Sequence, residues 1–360
     1  MSAAEEQSTR SDAVWSAQGT TPDAIEAALR DLLVQVHGEN DDFLPARVLN
    51  MITFVDRDWS GEIANRLSGV GRYHASRLVV LSYEPHRERL DARVMIVSEA
   101  ASAPGELALL HETVVVELGD RHLDDLLTIA DPLVVTDLPT LLWSPHGHHE
   151  IVSQLLALSQ AVLLDSVEEP DAAEALDRAY ELSKQAYVVD LAWLRSTPWR
   201  ERVAASFDPV WLRRELGTIS AVTVRHHPAS TAAAMLLVGW LASRLNWQTG
   251  TLADDGDALV ASTRSGEHSV AVRLEAAPEL QVPGLESLAL ETESGMNLRL
   301  SRGAGGLRAR RRDSHGEERE WTIPGASRGE TGVLGEGIRQ ALLRDPTYVP
   351  ALQAARAMLA

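Results

Sequence analysis

LVASTR (Leu259–Arg264), VAVRL (Val270–Leu274), LALETE (Leu288–Glu293) and NLRLSR (Asn297–Arg302) follow one another closely in the chain. In each, apolar and polar residues alternate, the period of a strand with one face buried and one in water. Ser265-Gly266, Pro283-Gly284 and Ser294-Gly295 separate them. Pairs of this kind reverse the chain tightly enough to close hairpins. The stretch from Leu259 to Trp321 therefore predicts an antiparallel sheet built from hairpins, and Gly303-Ala304-Gly305-Gly306 falls between two of its strands as a further turn.

Before that stretch, Ser230–Leu245 (STAAAMLLVGWLASRL) is apolar nearly all round and predicts a helix central to a core. Ser230 or Thr231 caps its start. Pro209–Glu215 reads as a short helix, Ala221–Val224 as a strand and Ala172–Tyr187 as a longer helix. Val333–Leu343 and Pro350–Leu359 read as closing helices. The polar Glu168-Glu169-Pro170-Asp171 is a linker candidate. Upstream of it the pattern changes. The first twenty residues read as a loose tail, and a helix opens at Thr21-Pro22-Asp23 and ends at His37-Gly38. Strands are expected at Arg47–Val55, Leu78–Tyr83, Arg93–Val97, Thr113–Leu118, Leu141–Trp143 and Ala161–Leu164, with helices at Trp59–Leu67 and His122–Ile129 and a turn at Ala103-Pro104-Gly105. Strands alternating with helices predict a largely parallel or mixed sheet. The expected fold class is α/β (α+β mixed): a tail and helix over 1–45, an N-terminal α/β domain over 46–169, and a C-terminal α+β domain over 170–360.

The chain has 360 residues, 45% of them apolar and 24% charged, enough for two globular domains. No apolar run approaches the roughly 18 residues that span a bilayer. The polar, acidic start lacks the pattern of a secretory signal, so a cytoplasmic location is expected. With 52 acidic against 33 basic residues and a net charge of −19, neither nucleic acid nor an anionic membrane is an expected partner. There is no cysteine, which excludes disulfides, thiolate metal sites and thiol nucleophiles in this chain. Lys184 is the sole lysine, and its helical surroundings mark it as a solvated side chain.

Candidate sites are few. Gly69-Val-Gly71-Arg-Tyr-His74 lacks the third glycine of a dinucleotide fingerprint and follows a helix instead of a strand. Gly325–Gly337 precedes a helix but lacks the Gly-Lys-Ser/Thr ending of a phosphate loop. No G-x-S-x-G occurs. His146-Gly147-His148-His149-Glu150 is the densest set of metal-ligand types, without the spacing of a known site; a loop after a strand, with Glu150 near a helix start, accounts for it equally. His226-His227-Pro228 reads as a cap on the strand before the long helix. Arg308, Arg310 and Arg312 share one face of a strand, two residues apart. They are either a docking point for an acidic partner or phosphate, or a solvated face balanced by Asp313, Glu317, Glu318 and Glu320.

Asp190-Leu-Ala-Trp193-Leu-Arg195-Ser-Thr-Pro198-Trp199-Arg200 packs two tryptophans, two arginines and an aspartate into eleven residues, the composition of an interface hot spot. It also reads as structure, with Thr197 as N-cap and Pro198 in the first turn of a helix. The segment Asp190–Asp208 resembles the signature stretch of the OpcA family, the glucose-6-phosphate dehydrogenase assembly proteins of cyanobacteria and actinobacteria. Tyr73–Leu81 resembles another family segment, with His74-Ala-Ser-Arg77 where His-Pro-x-Arg is usual. Asp137–Trp143 resembles a third, with Ser144 in place of a second tryptophan. The resemblance extends from about Arg47 to Leu343. It implies a non-catalytic protein, without a cofactor, that binds glucose-6-phosphate dehydrogenase and favours its active assembly, feeding NADPH production in the oxidative pentose phosphate pathway. Asp190, Trp193, Arg195, Trp199, Arg200, Arg308, Arg310 and Arg312 are the residues expected to contact that partner. Cyanobacterial members are linked to redox control; without cysteine here, a thiol sensor would lie in the partner. The alternatives are a metal-assisted hydrolase, or a sugar-phosphate-binding protein, using His146–Glu150.

Overall fold

The computed structural model describes residues 10–38, 47–71, 76–99, 109–303, 305–324 and 329–359. They form a mixed α/β protein divided into two compact units, Met1–Leu163 and Leu164–Ala360. The expected turn at Ala103-Pro104-Gly105, His74, and the start of the Gly325–Gly337 loop lie outside the described residues.

In the first unit, β1 (Arg10–Ala17) and α1 (Pro22–Gly38) precede β2 (Leu49–Asp56), α2 (Arg57–Gly71) and β3 (Ser76–Tyr83). Then come β4 (Asp91–Glu99), β5 (Leu109–Leu118), α3 (Leu126–Ala130), β6 (Thr140–Trp143), α4 (His149–Leu155) and β7 (Ala161–Leu164). Strand order runs β1-β4-β5-β3-β2-β6-β7. The pairs β5·β3, β3·β2, β2·β6 and β6·β7 are parallel, and β1·β4 and β4·β5 antiparallel, so the sheet is mixed. Its central strands are continuous apolar runs buried on both faces: every residue of β2 from Leu49 to Val55 is buried, as is all of β6. Polar groups are built into this core as well, among them Asn50, Thr53, Arg77 and Glu112. Asn50 pins the chain before β6, its amide donating to the carbonyls of Val135 (2.9 Å) and Leu138 (3.3 Å) while its own oxygen accepts from Val135 N–H (3.0 Å). Glu112 lies directly opposite Arg77 and binds it.

The expected N-terminal tail is corrected in part. Residues 10–17 are an edge strand along β4, in register from Arg10 opposite Glu99 to Ala17 opposite Ala92. Ala13 is buried and Val14 half-exposed, so the strand is held by its backbone ladder more than by an apolar face. The expected His122–Ile129 helix is a 3-10 turn, Asp120–Asp125, running into α3.

The second unit contains α5 (Ala172–Ser183), β8 (Tyr187–Asp190), α6 (Leu191–Arg195), α7 (Thr197–Ser206) and α8 (Val210–Arg213). It continues with β9 (Ile219–His226), α9 (Thr231–Leu245), β10 (Ala253–Asp254), β11 (Ala258–Ser265), β12 (His268–Ala276), β13 (Leu285–Thr292) and β14 (Asn297–Gly303). It closes with β15 (Gly306–Arg312), β16 (Glu318–Pro324), α10 (Gly329–Leu343) and α11 (Tyr348–Ala357). The hairpins expected at Ser265-Gly266, at Ser294-Gly295 and between β14 and β15 are present, in an eight-stranded sheet of order β10-β11-β12-β9-β13-β14-β15-β16; the one expected at Pro283-Gly284 does not form, because β9 lies between β12 and β13. One pair departs from the antiparallel expectation. β12 runs parallel to β9, because α9 and the β10–β11 hairpin intervene and return the chain in the same direction. The face carrying Val222, Val224, Val272, Leu274, Leu288 and Leu290 is buried, and α9 packs against β9 and β12. α9 is apolar all round because α11 covers it from the other side. Gly239 lies at that crossing, where a Cβ would meet the Ala351 carbonyl oxygen at 2.2 Å. The glycine is what allows the two helices so close. Among the described residues no helix is long and apolar enough to cross a membrane.

Two local expectations are corrected here. The helix expected over Ala172–Tyr187 stops at Ser183, and Tyr187 begins β8. Thr197 is not an N-cap: Ser196 holds that position, and the Thr197 hydroxyl accepts a hydrogen bond from Arg200 (2.9 Å).

Candidate functional site

β8 carries the chain inward and ends on Asp190, which caps α6 by accepting the Ala192 N–H at 2.9 Å. An aspartate suits a helix start, where free N–H groups and the dipole both favour an acceptor. This one is almost fully buried. Its carboxylate also accepts from the Ser166 N–H (3.2 Å), the Ser166 hydroxyl (2.6 Å) and the Tyr348 hydroxyl (3.1 Å). Burial pushes its pKa up to about 6, despite the hydrogen bonds that favour the charged form.

One turn further on, the Trp193 ring is enclosed. The Arg200 guanidinium lies 3.4 Å from its centroid, and the Tyr348 ring 5.6 Å away at 58°. The indole N–H donates to Asp345 at 2.8 Å. Arg200 is itself buried and donates to Ser196 Oγ (3.1 Å) and the Trp193 carbonyl (3.2 Å), with Asp345 at 3.8 Å. Burial lowers its pKa to about 10, which leaves it charged at neutral pH. Asp345 reaches the site because α10 ends with Arg344 in a left-handed conformation (φ 55°) and the chain turns into α11. Its other oxygen accepts from Thr347 N–H (2.8 Å) and Oγ1 (2.6 Å), and its N–H donates to the Tyr187 hydroxyl. Arg195 points the other way and grips both Asp165 oxygens at 2.7 and 2.8 Å. Trp199 is buried.

Of the residues expected at a partner surface, Asp190, Trp193, Trp199 and Arg200 are thus inside the second unit, and Arg195 is partly exposed. They are joined by Asp165, Ser166, Asp345 and Tyr348, which local sequence reading misses. A network in which donors and acceptors satisfy one another fixes shape.

The raised Asp190 pKa has a measurable consequence. The folded carboxyl holds its proton up to about pH 6, the unfolded one only to 3.8. Stability from this group is therefore complete below pH 3.8 and is lost as pH rises through 6, by up to about 3 kcal/mol. Asp190→Asn keeps the shape, with the amide donating to the two hydroxyls, and removes the titration. Its unfolding free energy relative to wild type is expected to rise between pH 4 and 8. Parallel pH dependences for the two proteins would refute this.

The arginines of β15 behave differently. Leu307 and Ala309 point inward, while Arg308, Arg310 and Arg312 are exposed on one face. Arg308 lies 3.4 Å from Glu320, and Arg310 pairs with Glu318. Arg299 stands directly opposite Arg310 on β14. Among the described residues Arg299 and Arg312 have no acidic partner.

The histidine loop follows β6, and Glu150 lies in the first turn of α4. His146 packs against Trp59 with the rings tilted by 31° (centroids 5.0 Å), whereas His148 lies 3.1 Å from Asp56 and edge-on to Phe54. Among the described residues no three His, Cys, Asp or Glu side chains converge as metal ligands do. His227 caps the 3-10 turn before α9, accepting from Ala229 N–H at 3.1 Å.

The fold and this internal network define a two-unit mixed α/β protein whose second unit holds a buried polar hub. The chain belongs to the OpcA family: residues 68–181 match the glucose-6-phosphate dehydrogenase subunit N-terminal domain and residues 186–352 its C-terminal domain. Curated relatives include the OxPP cycle protein OpcA of Synechocystis, 31% identical over 120 residues (32% of this chain and 25% of that protein). The Synechococcus elongatus protein of the same name is 27% identical over 164 residues (44% and 37%). The chain thus matches only a quarter to somewhat over a third of those relatives' length. Among solved structures it is similar to a Gfo/Idh/MocA family oxidoreductase from Vibrio cholerae, with TM-score 0.46, 11% identity, and 86% and 95% of the two chains covered. UDP-N-acetylglucosamine 3-dehydrogenase GnnA from Acidithiobacillus ferrooxidans is similar at TM-score 0.44 and 12% identity over 87% and 100%. Likeness of that degree carries no chemistry over to this chain.

Proposed function

We propose that this chain is a non-catalytic assembly factor and allosteric activator that binds glucose-6-phosphate dehydrogenase and favours its active oligomeric state, in support of NADPH production. The observation that carries this is the family match, which takes in most of both units under domain descriptions that name a subunit of that dehydrogenase. In mechanism, the chain binds one conformation of the enzyme more tightly and shifts its population accordingly. A tenfold preference requires about 1.4 kcal/mol, the scale of a few contacts.

The docking surface we assign is the exposed face of β14 and β15, with Arg299, Arg308, Arg310 and Arg312. In a chain of net charge −19, a local basic face attracts an acidic surface and orients it. The Asp190–Arg200 segment then acts within the second unit, holding it in one shape. Glucose 6-phosphate saturation curves of the matching dehydrogenase are expected to steepen or shift to lower substrate when this protein is added. Unchanged curves together with separate elution of the two proteins would overturn the proposal. Replacing Arg308, Arg310 and Arg312 by glutamate is expected to weaken the complex at least about tenfold and flatten its salt dependence; the fold, whose contacts there are exposed ion pairs, keeps its stability within about 1 kcal/mol.

A further inference from the structure

In the first unit, β3 and β5 lie to one side of β2, and β6 and β7 to the other. The chain leaves β2 through α2 toward β3 and later returns to the opposite side at β6. The carboxyl ends of β2 and β6 thus mark a topological switch point, the place where open parallel sheets bind ligands. The turn there is Asp56-Arg57-Asp58-Trp59-Ser60-Gly61. It has no glycine where a pyrophosphate approaches the backbone, and Asp58 already occupies the first turn of α2. Arg57 is committed to Glu84. Phosphate chemistry is therefore disfavoured where the topology would allow it.

What stands there instead is aromatic and carboxylate. The Trp59 indole is 46% exposed and packs against His146. Beside it Tyr83 and His148 are partly exposed and rest on the buried Phe54 ring, with centroids 4.9 to 6.3 Å apart. Asp56 flanks this group at His148, and Asp120 flanks it on the far side, accepting from the Tyr83 hydroxyl and the His86 N–H. His146, Gly147 and His148 all have positive φ (67°, 101° and 59°), and together they hold the two imidazoles over the strand ends. Flat apolar rings beside carboxyl acceptors complement a sugar ring, whose C–H face stacks while its hydroxyls donate to carboxyl oxygens.

We propose that this switch point is a binding site for a neutral, hydroxyl-rich ligand of the sugar or polyol class, with Trp59 as the stacking platform and Asp56 as hydroxyl acceptor. It is independent of the docking reading, and direct binding to the isolated full chain tests it without the dehydrogenase. Calorimetric titration would use glucose, myo-inositol, glucose 6-phosphate and NADP+. Saturable binding of glucose or inositol is expected, weakened at least about tenfold by Trp59→Ala and by Asp56→Asn. Trp59→Phe, which keeps a stacking face, is expected to retain most of the affinity. Three results would overturn the proposal: no saturation by either neutral ligand, affinities unmoved in both weakening variants, or glucose 6-phosphate or NADP+ binding more tightly than the neutral compounds.

Discussion

Replacement of Glu112 by alanine is expected to cost the first unit about 3–5 kcal/mol, the penalty for leaving a buried charge without its partner. Glu112 is 1% exposed. Its carboxylate takes Arg77 Nε at 2.6 Å and Arg47 through the other oxygen. Arg77 stands opposite it across the parallel β3·β5 pair, and among the described residues its other acceptor is the Leu133 carbonyl at 3.2 Å. Without the carboxylate, Arg77 must stay buried and unpaired or leave the sheet. Replacing the pair together, Arg77→Met with Glu112→Leu, is expected to recover much of the loss, because apolar residues of similar volume avoid desolvating any charge. Urea unfolding of the two variants checks both statements. A single-variant loss below about 1 kcal/mol would place the pair among ordinary surface bridges.

That pair also shows where sequence reading stops. The second sheet was legible from its two-residue period, down to which arginines of β15 face outward, because alternation in one strand is a local property. Helix α9 was legible for the same reason. β1 and β8 were not. RSDAVWSA has too few apolar residues to declare a strand, and YVVD is too short to stand apart from the helix before it. β1 becomes a strand only through β4, far along the chain. The candidate site divides likewise. Asp190 before Leu-Ala-Trp was readable as a helix cap in principle, and Asp345-Pro346-Thr347 as a turn. That these two meet around Trp193 is not local: Trp193 and Asp345 are 152 positions apart in the chain. The anchors and charged heads that resembled an interface are turned on one another, Arg200 against Trp193, and no composition distinguishes that from the same residues facing a partner. The histidine loop gained meaning only from strand order, which sets it at a switch point.

Trp193→Ala is expected to be the most damaging single change in the second unit, at about 3–5 kcal/mol. The side chain is 2% exposed, between the Arg200 guanidinium and the Tyr348 ring. Truncation opens a cavity that neither neighbour fills cheaply. Arg200 is tied to Ser196, Thr197 and a backbone carbonyl, and Tyr348 to Asp190. It also removes a donor from Asp345. Trp193→Phe separates the two effects. It keeps most of the volume and the stacking face, loses the 2.8 Å hydrogen bond, and is expected to cost only about 1–2 kcal/mol, since Asp345 retains Thr347. Chemical denaturation of both variants reads the two costs directly; equal losses would mean that the hydrogen bond, not the packing, holds the hub. The folded Trp193→Phe protein also bears on function. On the activating role proposed above, a hub that works only by holding the second unit in shape leaves this variant as active toward the dehydrogenase as wild type, and a loss of activation without a loss of fold would put the indole in contact with the partner.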